Sequence, residues 1–207
     1  MRVIRCTVTT ENFTKDNFEP SFIAANHLSY LDILCISTVV RACFISSIEV
    51  KGFGFIPGII SRLGHTYFVD RRKKSSVTSE VAGIADILTG GTSVVFFPEG
   101  TSGDGSRVLP FKSSFFRSAE LSGRRTVPLC INYTKINGIK PSLENRDLVF
   151  WYGDMGFFSH FIKLFSAGPM NVKLSFLEPI FPHEGIDRKD MSAEAHLRIS
   201  RKFDKIV

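Results

Sequence analysis

Residues 21–32 have the sequence SFIAANHLSYLD, in which a short apolar run leads directly into a histidine and an aspartate five positions apart. The apolar run predicts a buried strand, and residues 33–41 predict a helix. Residues five apart on one helix are rotated by roughly 140° from each other, so His27 and Asp32 could not share a helix face. They can meet only if a turn precedes the helix, and asparagine and serine, both present here, are suitable turn or capping residues.

His27 and Asp32 suit proton-transfer chemistry at the end of a strand. The imidazole can take a proton near neutral pH, and the carboxylate can fix its tautomer and stabilise the cation that forms. Taken alone, however, the pair fits a histidine that caps the start of a helix better than it fits a catalytic pair. The rest of the chain has to decide between the two interpretations.

Length and composition indicate a single domain over residues 1–207, large enough for a substantial core. The formal net charge is +6, which suits nucleic acid, an anionic membrane or a phosphorylated substrate as partner. Nucleic acid is not expected, because the basic residues are not interleaved with a recognised reading element.

The cysteines and the apolar segments bear on where the protein works. The four cysteines are scattered and no secretory leader is evident, which favours a reducing compartment and argues against a metal site. The most apolar long stretch, residues 28–48, contains Asp32 and Arg41, and charges are costly at bilayer depth. Any contact with a membrane is therefore expected at its surface, on the cytoplasmic side, and not across the bilayer. No role is assigned to the remaining histidines, His65, His160, His183 and His196.

Strand and helix patterns alternate along the chain. Strands are predicted at residues 2–9, 21–25, 43–47, 66–69, 92–97, 126–132, 147–151 and 171–177, and helices at 33–41, 77–88, 111–121 and 191–206, with a short helix ending at Gly64. The alternation predicts an α/β fold, a single domain with a mostly parallel central sheet flanked by helices. Loops that follow parallel strands gather at the carboxyl ends of those strands. The turn at 26–32, the charged cluster Asp70-Arg71-Arg72 and the loop 98–101 should therefore converge.

Four blocks of sequence, in this order, resemble the motifs of a known family. They are NHLSYLD at residues 26–32 (a His-x4-Asp motif), YFVDR at 67–71, FPEGT at 97–101 and VPL at 127–129. Together they resemble the glycerolipid acyltransferases, and most closely the PlsC-type 1-acyl-glycerol-3-phosphate acyltransferases, over about residues 20–135.

The resemblance implies transfer of an acyl group from a thioester of coenzyme A or acyl carrier protein to a lysophospholipid hydroxyl, with 1-acyl-glycerol-3-phosphate as the first acceptor to consider. His27 would be the general base and Asp32 would orient it. Transfer would be direct, without an acyl-enzyme and without a cofactor. The absence of a Gly-x-Ser-x-Gly nucleophile elbow agrees with this expectation.

The resemblance also assigns residues to the acceptor. Arg71 corresponds to an arginine that binds the acceptor phosphate, a task suited to a permanently charged, planar guanidinium. Glu99, Gly100 and Thr101 match the acceptor-binding loop, and Phe68 belongs to the block that carries Arg71. A glycine at position 100 would let backbone amides approach an oxygen atom.

Each of these assignments has a plainer alternative. Arg71 begins a basic run that could simply be solvated, and residues 98–105 could be an ordinary surface turn. The glycine-rich residues 51–58 resemble a segment near the acyl-donor path, but a hydrophobic packing loop is an equal interpretation.

The third block departs from the family pattern in a way that bears on the acceptor. Many members continue it as Glu-Gly-Thr-Arg, whereas Ser102 stands here in place of the arginine. Arg107 or Lys112 could supply the cation instead. Acyltransferases for lyso-ornithine lipid look similar in this region, so that lipid is the alternative acceptor. A thioesterase-type hydrolase and a non-catalytic lipid-binding relative are more distant alternatives.

Aromatic residues are densest at 151–152 and 157–165. Aromatic and apolar side chains with a lysine and few acids suit a membrane interface, whereas packing against the sheet is at least as good an interpretation. Membrane-embedded members of the family carry a hydrophobic segment ahead of the first motif. With the first motif beginning at Asn26, we expect a peripheral form or one that has lost such an anchor.

Overall fold

The computed structural model describes residues 5–14, 18–47, 66–69, 77–183 and 186–206. Their strands are β1 (Cys6–Glu11), β2 (Phe22–Ala25), β3 (Ala42–Ser47), β4 (Thr66–Val69), β5 (Ser93–Phe96), β6 (Thr126–Ile136) and β7 (Met170–Phe176). The helices are α1 (Leu31–Ser37), α2 (Val77–Thr89), α3 (Arg117–Ser122), α4 (Phe157–Leu164) and α5 (Arg188–Lys202), with 3₁₀ turns at Ser114–Phe116 and Arg146–Leu148.

The strands form one sheet in the order β1-β7-β6-β2-β5-β3-β4. Strands β2 to β6 are mutually parallel, β7 runs antiparallel to β6, and β1 is parallel to β7. The predicted α/β fold with a mostly parallel sheet is therefore confirmed. We call the edge at which β2 to β6 end the carboxyl edge, and the opposite edge the amino edge.

Strand β2 is the centre of the molecule because both of its faces are buried. Ile23 and Ala25 belong to an apolar cluster with α1, whereas Phe22 and Ala24 belong to a second cluster with α2. Side chains alternate between the faces of a strand, so four apolar residues in a row supply both clusters. A strand buried in this way holds whatever follows it in a fixed position, and the residues that follow are 26–32.

The strand expected at residues 147–151 is not formed, so this prediction was wrong. The segment contains the 3₁₀ turn Arg146–Leu148, and no described strand pairs with it. Val149 and Phe150 are buried beneath the turn after β2, and the Trp151 N–H donates a hydrogen bond to the Leu28 carbonyl. A short buried apolar run has the same pattern whether or not it joins a sheet, which is why the sequence suggested a strand.

Other predicted elements exist with shifted ends. Helix α1 begins two residues before the predicted start, and the predicted helix at 111–121 opens as a 3₁₀ turn before α3. Helix α5 begins and ends earlier than expected. After it, the Ile206 N–H donates a hydrogen bond to the Gly105 carbonyl, tying the last described residues to the loop after β5. Gly105 has φ of +86°, a left-handed conformation that favours glycine.

Some predictions fall on residues that the structure does not describe. These are the glycine-rich loop at 51–58, the short helix ending at Gly64, and residues 70–72 with Arg71. Among the described residues, no helix combines the length and the apolar character that crossing a membrane requires.

Candidate active site

The turn after β2 is anchored by the side chain of Asn26. Its amide group donates to the Ile131 carbonyl at 3.0 Å and accepts from the Ile131 N–H at 2.7 Å. Asn26 is buried, and its side chain thereby satisfies a backbone donor and a backbone acceptor of β6 where β2 has stopped. The main chain of the next residue, His27, is free to leave the sheet.

Replacing Asn26 with alanine would leave the Ile131 N–H and carbonyl buried without these partners. We expect the free energy of unfolding to fall by about 2 kcal/mol or more, since each unsatisfied buried group costs about 1–3 kcal/mol. Chemical denaturation measures the change. Asn171→Ala, at a half-buried position of β7, is the control and should cost less than Asn26→Ala; equal losses for the two variants would contradict the proposed role of Asn26.

His27 and Asp32 are in direct contact. The distance from His27 Nδ1 to Asp32 Oδ2 is 2.8 Å, with the histidine side chain 17% exposed and the aspartate side chain fully buried. Helix α1 begins only at Leu31 and its N-cap position is occupied by Tyr30, so His27 is not a helix cap. The predicted contact between the two side chains, by way of a turn, is confirmed.

Asp32 accepts hydrogen bonds from four donors among the described residues. Besides His27, Oδ2 accepts from the backbone N–H groups of Leu28 at 2.7 Å and Ser29 at 3.0 Å, and Oδ1 accepts from the Tyr133 hydroxyl at 2.7 Å. Burial, and then the Asp32 carboxylate, raise the pKa of Tyr133 well above its usual range, so this hydroxyl stays a donor. An ionised carboxylate only accepts, which places the proton on His27 Nδ1 and leaves Nε2 as the nitrogen that can take one.

The loop after β5 holds His27 from the other side. The Phe97 ring stacks on the imidazole with centroids 4.1 Å apart. Glu99 Oε1 accepts from the His27 N–H at 2.7 Å, and the Gly103 N–H donates to the His27 carbonyl at 2.8 Å. Both ends of the His27 peptide are therefore fixed by one loop, and the predicted convergence of the 26–32 turn with the 98–101 loop is confirmed.

Glu99 has a structural task that the sequence did not reveal. Its second oxygen accepts from the Leu109 N–H at 2.7 Å, so each carboxylate oxygen receives a backbone amide. Burial raises the pKa of Glu99 to about 7, against the opposing effect of the two amides. The side chain thus links His27 to the far end of its own loop, and its predicted contact with the acceptor stays a prediction.

Replacing Glu99 with glutamine should destabilise the protein. In either protonation state the carboxyl group presents an oxygen to each of the two backbone amides. Glutamine presents one oxygen, so the second backbone amide would face an NH₂ group. We expect a loss of about 1–3 kcal/mol in the free energy of unfolding. The exposed Glu144→Gln variant is the control and should stay within about 0.5 kcal/mol of the wild type.

The loss at Glu99 should also depend on pH. The folded protein holds the Glu99 proton more tightly than the unfolded chain, whose carboxyl titrates near 4.5. The tighter binding of this proton stabilises the folded protein fully below pH 4.5, and the stabilisation declines as the pH rises to about 7. Unfolding curves across this range should show the advantage of the wild type over Glu99→Gln shrinking with pH; an advantage that grows would contradict the assignment.

The other residues predicted to bind the substrate differ in burial and in distance from His27. Gly100 has φ of +76°, which favours glycine, and its N–H donates to the Phe97 carbonyl. Thr101 and Lys112 are exposed. The backbone N–H of Lys112 donates to the Pro98 carbonyl, so Lys112 lies beside the start of the loop after β5. Phe68 is half-buried on β4, three strands from β2, or about 14 Å at the usual strand spacing. The structure therefore does not bring Phe68 next to His27.

Ser102 points inward. It is buried, and its hydroxyl donates a hydrogen bond to the Trp151 carbonyl. The backbone N–H of Trp151 in turn donates to the Leu28 carbonyl, so Ser102 connects the loop after β5 to the turn at residues 26–32 through one residue. The cation that many family members carry at this position is replaced by a structural hydroxyl. Arg107 and Lys112 are exposed and remain candidates for it, and Arg71 lies outside the described residues.

Helix α4 packs on the same turn. The Tyr30 hydroxyl and His160 Nδ1 are 3.1 Å apart, and the Tyr30 ring lies 5.2 Å from Phe157 and 6.0 Å from Trp151. His160 is buried, and burial lowers its pKa. The aromatic stretch at 157–165 thus does contact the core, but only with one face of α4.

Three contacts of the site could not be found in the sequence. Tyr133 follows the VPL block on β6, and nothing in its neighbourhood marks it as a partner of Asp32. The Asn26 bridge to β6 and the Tyr30–His160 contact join residues more than a hundred positions apart. The predicted parallel sheet brings the ends of β2 and β6 to the same edge, but only the structure shows that β6 lies beside β2.

Comparison with known proteins gives consistent matches. A family model described as Acyltransferase matches residues 5–132. Lyso-ornithine lipid O-acyltransferase of Brucella abortus is 32% identical over 187 residues, which cover 87% of this chain and 70% of that protein. The lyso-ornithine lipid O-acyltransferase of Rhodobacter capsulatus is 33% identical over a match that covers 83% of this chain and 61% of that protein. The 1-acyl-sn-glycerol-3-phosphate acyltransferase of Neisseria gonorrhoeae is 27% identical over a match that covers 75% of this chain and 58% of that protein.

A solved structure shares the fold. The crystal structure of the 1-acyl-sn-glycerophosphate acyltransferase PlsC from Thermotoga maritima matches with a TM-score of 0.64 at 20% identity, covering 97% of this chain and 71% of that one. The chain thus spans from 58% to 71% of the length of these four proteins.

Proposed function

The chain belongs to the glycerolipid acyltransferase family, and on this premise we propose that it transfers a fatty acyl group from a thioester to the hydroxyl of a lysolipid. The observation that carries the proposal is the His27–Asp32 contact at the carboxyl edge, with Asp32 fully buried and the imidazole partly open to solvent. The arrangement supplies a base whose tautomer is fixed and whose Nε2 is available to a substrate.

The proposed step is a direct transfer. The acceptor hydroxyl oxygen attacks the thioester carbonyl carbon while His27 Nε2 takes the hydroxyl proton. The tetrahedral intermediate then collapses, the carbon–sulfur bond breaks, and the leaving thiolate receives that proton from the imidazolium. Asp32 stabilises the imidazolium between the two proton transfers, and no bond to the protein is formed.

For the acceptor, we favour lyso-ornithine lipid, with 1-acyl-glycerol-3-phosphate as the second candidate. Two relatives that share at least 32% identity are named as lyso-ornithine lipid O-acyltransferases, whereas the named 1-acyl-sn-glycerol-3-phosphate acyltransferase shares 27%. The buried Ser102 also favours lyso-ornithine lipid over 1-acyl-glycerol-3-phosphate, because a serine at this position offers no cation to a phosphate monoester. The ornithine headgroup carries an ammonium as well as a carboxylate and needs fewer cations around it.

The acceptor proposal is tested by comparing initial rates with the two lysolipids at equal concentration and with the same acyl thioester. We expect the higher kcat/KM with lyso-ornithine lipid. A preference for 1-acyl-glycerol-3-phosphate would reverse our order, and no transfer to either lipid would reject both acceptors. Running the assay with coenzyme A and carrier-protein thioesters in parallel identifies the donor.

We place the reaction at the cytoplasmic face of a membrane. All four cysteines are free thiols, which supports a reducing compartment. Cell fractionation tests the placement, which predicts protein in the membrane fraction that salt or alkaline washing releases; protein that stays in the bilayer after both washes would contradict a peripheral association.

A further inference from the structure

Helix α4 has an apolar stripe on the side that faces away from the protein. Phe158, Ile162 and Phe165 follow each other at i, i+4 and i+7, the spacing of one helix face, and all three are exposed. His160 and Leu164 form the opposite, buried face. A helix that packs on a core with one face normally carries polar residues on the other, so this second apolar stripe needs an explanation.

The turn after β6 carries two more exposed apolar side chains, Ile139 and Leu143. This turn adjoins the segment that follows α4, since the Asn137 N–H donates to the Pro169 carbonyl at 2.7 Å. Five of the eight large exposed apolar side chains among the described residues therefore lie in the connection between β6 and β7. We call these five residues the docking face: Ile139, Leu143, Phe158, Ile162 and Phe165.

The docking face lies at the carboxyl edge, where the candidate active site is. Strand β6 ends there, and β7 starts there because it runs antiparallel to β6. Helix α4 is joined directly to the catalytic turn by the Tyr30–His160 contact. Whatever covers the docking face therefore lies on the outer side of the helix that packs on the turn carrying His27.

Lysines accompany these apolar side chains. Lys163 is exposed on α4, and Lys135, Lys140 and Lys205 line a cavity of about 210 Å³ at the same edge, together with Asp204. Two exposed carboxylates, Glu144 and Asp154, belong to the same connection. A further carboxylate of this connection, Asp147, pairs with the Arg146 guanidinium at 3.6 Å. The four lysines outnumber the three remaining acids, in keeping with the net charge of +6 for the whole chain.

We propose that the docking face binds the surface of an anionic phospholipid bilayer and holds the catalytic turn against it. Aromatic and aliphatic side chains enter the boundary between headgroups and acyl chains, and nearby lysines attract lipid phosphates. The inference rests on the proposed function, because a lysolipid acceptor is reached at a bilayer. A second copy of the chain would also cover apolar residues, but it would bring the same lysines face to face.

The test is sedimentation of the full chain with vesicles made of equal parts of phosphatidylcholine and phosphatidylglycerol. The variant Phe158→Ser/Ile162→Ser should bind these vesicles at least about tenfold more weakly, since two apolar side chains no longer leave water. The control is Leu121→Ser/Phe181→Ser at the amino edge. It also removes one aliphatic and one aromatic side chain, at 54% and 57% exposure compared with 55% for Ile162 and 74% for Phe158, and should bind like the wild type.

A second variant tests the electrostatic part and does not alter the helix. Lys135→Gln/Lys140→Gln should weaken binding to the mixed vesicles by about fivefold for each lysine and should lose that effect at high salt. Equal binding of wild type and both variants, or binding to pure phosphatidylcholine as strong as to the mixture, would overturn the proposal. A wild-type dimer that Phe158→Ser/Ile162→Ser turns into a monomer would assign the face to a second copy.

Vesicle binding and acyl transfer can be tested independently of each other. Sedimentation does not require turnover, so His27→Ala should bind vesicles like the wild type. Conversely, Phe158→Ser/Ile162→Ser should keep wild-type kcat on a short-chain acceptor that is monomeric in solution, and should lose activity only when the acceptor is presented in vesicles. A variant that loses activity on both acceptors would point to damage of the catalytic turn and would contradict a docking role.

Discussion

His27→Ala is expected to lower kcat for acyl transfer by between about a hundredfold and ten thousandfold, the usual contribution of a general base. The variant removes the only group we assign to take the hydroxyl proton, while Asp32 keeps its bonds to Tyr133 and to the Leu28 and Ser29 amides. The fold should persist for that reason. Steady-state kinetics with saturating acyl thioester and lysolipid measure the effect, and circular dichroism verifies the fold.

The control for this variant is His183→Ala, an exposed histidine beyond the end of β7 at the amino edge. It should retain wild-type kcat. A His27→Ala protein that is folded and transfers acyl groups at the wild-type rate would remove His27 from the mechanism.

Asp32→Asn should be the second most damaging change, with a loss of about tenfold to a thousandfold in kcat. The asparagine oxygen can keep the place of Oδ2, where the Leu28 and Ser29 amides donate, and its NH₂ group can face the Tyr133 hydroxyl, which can turn to accept. The geometry of His27 is then retained, and the negative charge that stabilises the imidazolium is lost. The loss in kcat therefore reports the missing charge together with the turned Tyr133 hydroxyl.

A matched control exists in Asp147, whose carboxylate also accepts from a tyrosine hydroxyl, that of Tyr152 at 2.6 Å. Asp147→Asn should leave kcat within about twofold, because we assign that pair no part in proton transfer. Wild-type kcat in Asp32→Asn would show that the charge is dispensable, and unfolding of the variant would show that Asp32 is needed for the fold first.

The general architecture could be predicted because it depends on periodicity. The buried run before Asn26 and the amphipathic pattern of α2 determine a strand and a helix locally, and their alternation implies the parallel sheet. The false strand at 147–151 marks the limit of this reasoning. Val149 and Phe150 are as apolar as a buried strand, and only the neighbours of β6 in the finished sheet show that no place remains for them.

The candidate site could be predicted in part. His27, Asp32 and the loop after β5 follow strands, so the sheet topology brings them to one edge. The roles of Tyr133, Ser102 and Glu99 could not be foreseen, because hydrogen bonds of this kind depend on side-chain directions after folding. The sequence also left the direction of the 157–165 aromatic residues open. Packing against the core is confirmed for the face of α4 that carries His160, whereas Phe158 is exposed and a membrane contact of that face stays our proposal.

A hydrolase with the same His27–Asp32 pair would activate water and would need no acceptor. A transferase would exclude water from the site in favour of a bound acceptor hydroxyl. Ser102 and Glu99 both make hydrogen bonds that hold the turn at residues 26–32 in place, so neither residue distinguishes acyl transfer from hydrolysis. The fate of the acyl group therefore has to be followed by experiment.

The most direct measurement is a single turnover with excess enzyme, an acyl thioester labelled in its acyl chain, and lyso-ornithine lipid or 1-acyl-glycerol-3-phosphate as acceptor. We predict that label leaves the thioester only when an acceptor is present and enters the acylated lipid at the same rate, with none bound to the protein. Label released as free fatty acid whatever the acceptor, or label held covalently by the protein on the way to the lipid, would contradict direct transfer by the His27–Asp32 pair.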